Sequence, residues 1–455
     1  MKKTIKLAVV AALALGATSA FATNGDIMIG QGAKSRSMGG VGIAKSFGAV
    51  SGLANPAMIS SVKDSELTFV VTTFAPDVAF RSNAAANANP AAAGNAVPVN
   101  YQNSDANLNF IPEFAFASRI NENFVYGISV SGTAGMGTDY DDAAFNTATD
   151  NGAFRMKTNL ALLKVAIPLS YQSGDFTVGL TPILQYGSLR LSHMIQNQNG
   201  SFSKLDNGAS TDIGYGVELG TSYKIDSLTV AAVYKSKISM KYDNTIGASI
   251  NAFGGAAATG VASGDNLDQP AEIGIGLSYA MGKNTLAFDY KNIAYGDAAG
   301  YKDFGWENQN VYVLGYEYAG SGWAFRAGYN YAKSPIVEQN GAKGLGATGP
   351  TGYAGAVRNF FNLSGFPGIV ESHYTIGGGY SISDALSIDA AFVYAAKVTN
   401  SFDTSGMTEA FAFNGALGQG ASQQAAAAGA TGTASSSADV THSQMGLTLA
   451  VSYKF

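Results

Sequence analysis

The sequence contains no cysteine and only three histidines among its 455 residues. Without cysteine the chain can form no disulfide, no thiolate zinc site and no cysteine nucleophile, which suits a protein that crosses an oxidising compartment. His193, His373 and His442 lie far apart in sequence, and none has a second candidate ligand at metal-binding spacing. None belongs to a recognisable catalytic triad motif. We therefore expect no metal, no other cofactor and no enzymatic activity.

Charged residues are also scarce. They make up 13% of the chain, about half of the roughly 25% that is usual in soluble domains. The net charge of −5 argues against nucleic-acid binding, because nucleic-acid-binding domains are usually basic. After residue 22, no apolar run reaches the roughly 18 residues that a transmembrane helix needs. Low charge together with 56 glycines, 25 phenylalanines and 23 tyrosines is typical of a membrane β-barrel.

Residues 1–22 have the features of a secretory signal peptide. Three lysines precede the apolar run LAVVAALALGA, and Ala20-Phe21-Ala22 forms a small-x-small cleavage site. A membrane anchor is the alternative, but the apolar run is too short to span a bilayer. We expect cleavage after Ala22. Because the rest of the chain has barrel composition, we expect it in a Gram-negative outer membrane, in contact with outer-membrane lipid and lipopolysaccharide.

The end of the chain shows the alternation that a lipid-exposed strand requires. Its apolar face consists of Met445, Leu447, Leu449, Val451, Tyr453 and Phe455. The opposite face, here and in other strands, is mostly Gly, Ala, Ser and Thr, whereas a soluble sandwich would expose many more charges. A terminal phenylalanine is common in outer-membrane barrels, and we expect the barrel assembly machinery to recognise it as a partner.

The alternation predicts about fourteen strands, in which six tight turns alternate with seven longer loops. This arrangement, with both chain ends on the side of the tight turns, is the layout of outer-membrane barrels. The predicted strands lie near 66–81, 107–120, 123–138, 157–172, 175–192, 211–225, 228–242, 270–281, 284–295, 308–319, 322–334, 371–383, 385–397 and 442–455. We predict an all-β fold, a 14-stranded antiparallel transmembrane β-barrel over residues 65–455. Residues 23–64, rich in Gly, Ala and Ser, are predicted to be an N-terminal hatch, or plug, inside the lumen.

Short motifs are spread from the hatch to the twelfth predicted strand. They are GQGAKS at 30–35, SMGGVGIA at 37–44, Asn55-Pro56-Ala57 at the close of the hatch, FGW at 304–306, RAGYNY at 326–331 with SPI at 334–336, and SHYTIG at 372–377. Together they resemble the FadL/TodX-type family of outer-membrane long-chain fatty acid and aromatic hydrocarbon transporters. The resemblance implies a monomer that imports hydrophobic small molecules, such as fatty acids or hydrocarbons, by diffusion. It further implies capture in an apolar groove among extracellular loops, a deeper site beside the hatch, and lateral exit through a kink in the third strand.

Three glycines occur where the resemblance implies the kink. Gly132, Gly135 and Gly137 fall within six residues of the third predicted strand, and such a cluster weakens strand pairing and favours a bulge or bend. The alternative is that the cluster reflects only the abundance of glycine in this chain.

Two apolar loops are candidates for the groove. Ile246, Ile250 and Phe253 lie in one loop, and Phe360 and Phe361 lie in another. Exposed apolar loops indicate a hydrophobic ligand or a lid on the barrel mouth. The alternative is that the two loops simply pack on each other.

Cations that alternation places inside the barrel are candidates for the deeper site. Lys235, Lys237 and Lys241 are predicted to share one face of the seventh strand, and Arg326 to point inward from the eleventh. A partly desolvated cation binds a carboxylate strongly. The alternative is that inward carboxylates such as Glu218, Glu272, Asp289 and Glu317 pair with these cations.

The start of the hatch departs from the family pattern. Fatty acid transporters of this type carry an aromatic residue there, whereas this chain has Ile27, Met28 and Ile29. These three could fill the role more loosely, so the ligand could be a hydrocarbon in place of a long-chain fatty acid. A general porin is a weaker alternative, because a porin needs a charged constriction and no plug. A structural or adhesin barrel is the alternative that the sequence excludes least.

Overall fold

The computed structural model describes residues 23–88, 95–140, 155–196, 202–346 and 349–455. The expected signal peptide lies outside the described residues. Fourteen strands form one closed antiparallel sheet in which sequence neighbours pair and the last strand pairs with the first. They are β1 (Ser65–Ser82), β2 (Asn109–Arg119), β3 (Phe124–Met136), β4 (Met156–Ala166, continued by Leu169–Ser173), β5 (Phe176–Gln196), β6 (Phe202–Ile225), β7 (Leu228–Lys235), β8 (Glu272–Met281), β9 (Asn284–Ile293), β10 (Gln309–Ala319), β11 (Trp323–Ala332), β12 (Ser372–Ser381), β13 (Leu386–Asp403) and β14 (Ser437–Lys454). The predicted fourteen-stranded barrel is confirmed.

The remaining elements lie near the start of the described chain and in the longer loops. The α-helices are α1 (Gly32–Ser37), α2 (Ala84–Asn87), α3 (Ile246–Ala252), α4 (Gly255–Thr259), α5 (Tyr353–Gly365), α6 (Ser405–Gly418) and α7 (Gln423–Thr431), and the 3-10 helices are Gly48–Leu53, Pro56–Ser61 and Tyr295–Asp297. Two-residue strands lie at Thr23–Asn24, Ile27–Met28, Gln102–Asn103, Leu345–Gly346 and Gly349–Pro350. Within the described ranges, no helix has both the length and the apolar character needed to cross a membrane.

The outer face of the barrel is apolar because alternate residues of each strand point outward. In β8, Ile273, Ile275, Leu277 and Tyr279 are 57%, 56%, 45% and 48% exposed. The glycines between them point inward. An outward apolar belt of this kind is what contact with lipid tails requires.

Residues 23–64, here called the amino-terminal segment, lie inside the barrel. Helix α1 contacts β11 to β14, and the first two 3-10 helices contact β1 to β6. Bare backbone in the wall allows this close approach. A Cβ added to Gly276 of β8 would lie 2.7 Å from Ile43 Cβ, and one added to Gly315 of β10 would lie 2.7 Å from Met38 O. The segment therefore touches strands around the whole lumen, although its status as a separate hatch domain stays a prediction.

The Asn55-Pro56-Ala57 motif starts the second 3-10 helix. Asn55 Oδ1 accepts a hydrogen bond from Ala57 N at 3.0 Å, and Pro56 occupies a first-turn position that needs no N–H donor. Asn55 Nδ2 donates to Ile43 O at 2.8 Å. Gly220 of β6 lies against the Asn55 side chain with no room for a Cβ. The motif thus ties two turns of the amino-terminal segment together against the wall.

The seventh strand is shorter than predicted. It ends at Lys235, whereas alternation suggested that it continues to 242. Beyond this point Ile238 packs over Gly216 of β6, which has no side chain to keep it away. The prediction that Lys235, Lys237 and Lys241 share one face of this strand is therefore wrong, because Lys237 and Lys241 lie past its end.

Both ends of the described chain are tied to the barrel. Thr23 is 2% exposed, and its N donates to Gln444 Oε1 of β14 at 3.3 Å. Phe455 exchanges backbone hydrogen bonds with Ser65 of β1, each 3.0 Å long. The last residue therefore takes part in the closure of the sheet.

Candidate functional site

An apolar cavity of about 30 Å³ lies at the extracellular ends of β3 and β5. Its lining residues come from strand ends and loop helices and include Met136, Leu191, Ile246, Ile250, Leu267, Tyr301, Phe304, Trp306, Phe361 and Phe366. The volume is enough for a water molecule but far below the roughly 300–1,000 Å³ of pockets for drug-sized ligands. A hydrophobic ligand could enter only if side chains of the lining move.

The loop residues predicted to form a groove do not all lie at the cavity. Ile246, Ile250 and Phe361 line the cavity. Phe253 lies behind Phe361, with ring centroids 5.1 Å apart. Phe360 faces the other way and meets Phe80 of β1 at 5.7 Å. The two loops therefore pack on each other and also border the cavity, and a role of their apolar residues in ligand binding stays a prediction.

A buried carboxylate joins the amino-terminal segment to the cavity wall. Tyr301 donates to Asp26 Oδ2 at 2.7 Å, and Tyr295 Oη lies 2.6 Å from Asp26 Oδ1. Tyr295 Oη also accepts from Asp26 N at 3.1 Å. The rings of Tyr295, Tyr301 and Trp306 pack with centroids 4.9–5.1 Å apart. Since Tyr301 and Trp306 line the cavity, the position of Asp26 is coupled to its shape.

Burial sets the ionisation of this cluster. It raises the pKa of Asp26 above the ordinary value of 3.8, although the hydrogen bonds from Tyr295 and Tyr301 act in the opposite direction. Burial, reinforced by the nearby Asp26, also raises the pKa of both tyrosines well above 10.0. Sequence reasoning missed this cluster. The sequence shows that Tyr295, Tyr301 and Trp306 share one loop, but nothing in it links that loop to Asp26.

The wall between β2 and β3 opens next to this cluster. The ladder ends at the pair Glu113 and Ser131, and β3 shifts register against β4 between Gly132 and Ala134. Beyond that point β3 pairs with the amino-terminal segment. Ile27 is the partner of Ala134, and Gly135 N donates to Asp26 O at 3.1 Å. We call this interruption the β2–β3 seam. It coincides with Gly132, Gly135 and Gly137, whose role in exit remains a prediction.

Ile27, Met28 and Ile29 do not line the cavity. Ile27 packs beside β3, against the main hydrophobic core. Met28 and Ile29 belong to a separate buried cluster with Phe74 and other wall residues. Their predicted contact with a ligand stays a prediction.

The predicted ligand-binding cations are all ion-paired. Arg326 lies 2.6 Å from Glu317 and 2.8 Å from Asp389, Lys235 lies 2.9 Å from Glu272, and Lys237 lies 3.3 Å from Asp268. None of these cations is among the residues that line the cavity. The alternative that inward carboxylates satisfy these cations thus describes the geometry seen here. No cluster of three or more potential metal ligands occurs in the described ranges.

Comparisons with known proteins agree with this architecture. A sequence model of the family described as "Outer membrane protein transport protein (OMPP1/FadL/TodX)" matches residues 8–343. Among curated proteins, an uncharacterized protein encoded upstream of the phosphoenolpyruvate carboxykinase gene of Chlorobium limicola is 40% identical over 85 residues, which are 18% of this chain and 42% of that relative. The match thus spans less than half of that relative.

Solved structures share the whole fold at low sequence identity. A FadL homologue of Pseudomonas aeruginosa has a TM-score of 0.65 at 15% identity, covering 95% of this chain and 100% of its own. The toluene transporter TodX of Pseudomonas putida has a TM-score of 0.64 at 17% identity, with the same coverage. The toluene transporter TbuX of Ralstonia pickettii has a TM-score of 0.58 at 17% identity over 94% and 99%. The resemblance found in the sequence is confirmed, and the chain belongs to the OMPP1/FadL/TodX family of outer membrane transport proteins.

Proposed function

We propose that this protein is a passive channel through which hydrophobic compounds cross the outer membrane. The observation that carries the proposal is the apolar cavity whose wall is joined, through Tyr301 and Asp26, to an interruption of the barrel wall. Membership of a family of outer membrane transport proteins supports it. Diffusion down a concentration gradient needs no energy source, and nothing in the proposed route requires one.

We propose that the chain has three parts, each with its own role. Residues 1–22 direct export and are removed, residues 23–64 form the hatch, and residues 65–455 form the barrel. Salt bridges to the wall, such as those from Arg36 to Glu113 and from Lys45 to Glu317, hold the hatch in the lumen. The barrel works as a monomer in lipid and lipopolysaccharide, after the barrel assembly machinery has inserted it.

The ligand proposed here is a neutral hydrocarbon or an apolar molecule with a weakly polar end. The cations predicted to bind a ligand, Lys235, Lys237 and Arg326, already have carboxylate partners, so a ligand carboxylate would have to displace one of these. The polar groups of the lining are also engaged: Asn362 bonds Trp306 and Phe304, and Tyr301 bonds Asp26. A charged carboxylate would lose its hydration in this cavity without gaining a strong partner, which is costly. The relatives described as toluene transporters are too distant to decide the ligand, but a neutral aromatic fits the same chemistry.

The proposed exit is lateral. The amino-terminal segment fills the lumen, so a ligand cannot pass straight through to the periplasm. A shift of Asp26 and Ile27 away from β3 would free the edge at Ala134 and Gly135 and open the β2–β3 seam to the membrane. Because Asp26 is bonded to Tyr301 in the cavity wall, filling the cavity would act directly on the residues that close the seam.

The experiment that tests this function is extraction of the detergent-purified protein, followed by mass spectrometry of the molecules that co-purify. We expect hydrocarbon, detergent or lipid chains at a stoichiometric level. Ile250→Asn, in the cavity lining, should reduce that amount severalfold. Ile382→Asn, at a site 53% exposed beyond the end of β12, is the matched control and should not. An empty protein with large single-channel conductance in a planar bilayer would indicate a general porin instead.

A further inference from the structure

The barrel wall also separates between β6 and β7. Their ladder runs from Ile225 and Leu228 up to Glu218 and Lys235. The last backbone bond joins Ser236 N to Val217 O at 2.9 Å, and Ser236 Oγ accepts from Val217 N at 3.0 Å. Beyond Val217, β6 continues to Phe202 in a ladder with β5 alone. We call this interruption the β6–β7 seam.

The β6 side of this seam is an open strand edge. Thr211, Ile213 and Tyr215 direct their backbone groups to the same side as Val217, since alternate residues of a strand share a hydrogen-bonding direction. No backbone bond within the described ranges reaches these three on that side. The side chains of Ile213 and Tyr215 are 51% and 73% exposed. Open edges are not tolerated deep in hydrocarbon, except where they line a cavity.

With Ile225, at the tight turn, taken as the inner boundary of the hydrocarbon core, the seam lies in the outer half of the membrane. Val217 is eight residues from Ile225 at the tight turn, about 26 Å along the strand at about 3.3 Å per residue. With a strand tilt of about 45° this is roughly 19 Å of height, in a hydrocarbon core about 30 Å thick. The open edge therefore starts within the outer leaflet and continues to its head groups.

Residues 236–242 close the seam from inside, where Lys241 N donates to Asp212 Oδ2 of β6 at 2.8 Å and apolar side chains pack under the open edge. Ile238, Met240 and Tyr242 are 3%, 1% and 0% exposed. They rest on bare backbone. A Cβ added to Gly214 would lie 2.6 Å from Met240 Sδ, and one added to Gly216 would lie 2.7 Å from Ile238 Cγ1. The space over the two glycines is thus filled by Ile238, Met240 and the backbone O of Ser239, and the two apolar side chains are the part that can move without the backbone.

The same segment borders the cavity. Leu267, which lines the cavity, donates from its N to Met240 O at 3.1 Å. The backbone of the segment is held in place, because Ile238 and Gln269 exchange two hydrogen bonds of 3.0 Å and 2.9 Å. Side-chain motion is then the available way to open the seam. Met240 is well suited to this, since an unbranched thioether changes rotamer easily.

We propose that the β6–β7 seam is a second lateral portal, through which apolar molecules dissolved in the outer leaflet enter the cavity, with Met240 and Ile238 as its gate. This inference rests on the proposed function, because it supplies an entry route to a channel whose exit is the β2–β3 seam. Molecules that partition into lipid before they meet the loops would reach the cavity by this route.

The test measures how fast a bromoalkane dissolved in vesicles fills the cavity. Trp306 lines the cavity and is 3% exposed, whereas Trp323, the second tryptophan of the chain, is 48% exposed on the outer face. In a Trp323→Phe background, quenching by 1-bromododecane therefore reports filling at Trp306. The time courses of quenching give the rates at which the cavity fills and empties, and the extent of quenching gives the Kd.

We expect Met240→Ala to raise both rates by about fivefold to tenfold and to leave the Kd unchanged, because a gate alters the barrier and not the bound state. Met240→Phe should lower both rates. Ile238→Ala provides an independent second variant and should act like Met240→Ala. The control, Met281→Ala, removes a methionine that is 41% exposed at the opposite end of β8 and should change neither rate.

The portal would be overturned if both alanine variants filled and emptied at the rates of the parent. It would also be overturned if only the emptying rate changed, so that the Kd changed with it. Neither outcome would contradict the proposed channel. Absence of saturable quenching in the Trp323→Phe parent would overturn the proposed function, and the portal with it.

Discussion

Two seams interrupt the barrel wall, and they are closed in different ways. At the β2–β3 seam, backbone from another part of the chain takes over the pairing of β3, through Ile27 and Asp26. At the β6–β7 seam, side chains pack across the gap and the β6 edge is left open. A seam closed by backbone hydrogen bonds opens only when a segment moves. A seam closed by side chains opens when rotamers change, which is a faster and smaller event.

The ion pairs at the base of each seam show the same contrast. Glu113, on the last rung of the β2–β3 ladder, pairs with Arg36 of the amino-terminal segment and accepts from Gly32 N at 2.8 Å. Lys235, on the last rung of the β6–β7 ladder, pairs with Glu272 of the wall itself. The ion pair at the first seam therefore depends on the position of the amino-terminal segment, whereas the ion pair at the second seam is made within the wall.

The largest effect is expected from a charge placed in the β2–β3 seam. Gly135→Arg should abolish uptake of a labelled hydrocarbon by cells, because an apolar molecule cannot displace a hydrated guanidinium from its path. Heat-modifiable migration in electrophoresis checks that the barrel is folded. Gly415→Arg, at an exposed glycine of α6 with open space around it, is the matched control. Normal uptake by a folded Gly135→Arg barrel would refute lateral exit.

A smaller effect is expected from the base of the same seam. Glu113→Gln leaves Arg36, 2% exposed, without its charged partner. Removing one partner of a buried ion pair costs about 3–5 kcal/mol, so protease should gain access to the amino-terminal segment. Glu272→Gln is the comparison at the other seam and should leave the segment protected. If both variants expose the segment equally, the two seams are not independent.

The next smaller effect is expected from the carboxylate cluster, and it concerns the rate of ligand release. Asp26→Ala leaves the buried hydroxyl of Tyr301 without an acceptor, at a cost of about 1–3 kcal/mol, whereas Tyr295 Oη can still donate to Asn24 O at 2.8 Å. If that cost falls on the closed state, release becomes faster by about tenfold for each 1.4 kcal/mol. Asp26→Asn keeps an acceptor oxygen and should release ligand at a rate between those of the alanine variant and the parent. Release at the parent rate from Asp26→Ala would contradict a role for this cluster in closing the seam.

The smallest effect is a dependence of the closed seam on pH. Because burial raises the pKa of Asp26 in the closed state, protonation favours that state. The stabilisation is complete below the ordinary pKa of 3.8 and is lost as the pH rises through the raised value. Ligand release should therefore become faster as the pH rises across this interval. Asp26→Asn should remove this dependence, and a dependence that survives in this variant must come from another group.

The barrel could be predicted because its signals are local. Alternation with a period of two and short turns fix where each strand runs, and most predicted strands agree with those observed. β7 shows the limit of this reasoning. Its alternation continues to 242 in the sequence, but the chain leaves the strand at Ser236 because Gly214 and Gly216 offer Ile238 and Met240 a surface to pack on. That surface belongs to another strand and cannot be read from the segment itself.

The candidate site was predicted in part, for the same reason. Apolar residues such as Ile246 and Phe361 stand out in loops, so composition finds them. The cluster of Asp26 with Tyr295 and Tyr301 depends on contacts between residues 269 and 275 positions apart, and no local pattern indicates them. The inward cations were predicted, but whether each meets a ligand or a carboxylate depends on register across neighbouring strands.

The burial of Thr23 has a practical consequence for anyone who handles this protein. Its N is bonded to Gln444 inside the barrel, and Phe455 is bonded into the first strand. An affinity tag fused directly before Thr23 would have to share the lumen with the amino-terminal segment. A tag fused after Phe455 would disturb the backbone hydrogen bonds between Phe455 and β1. The connection between α6 and α7 around Gly420 is exposed and has open space around it. Purification handles and cell-surface epitopes therefore belong at that connection.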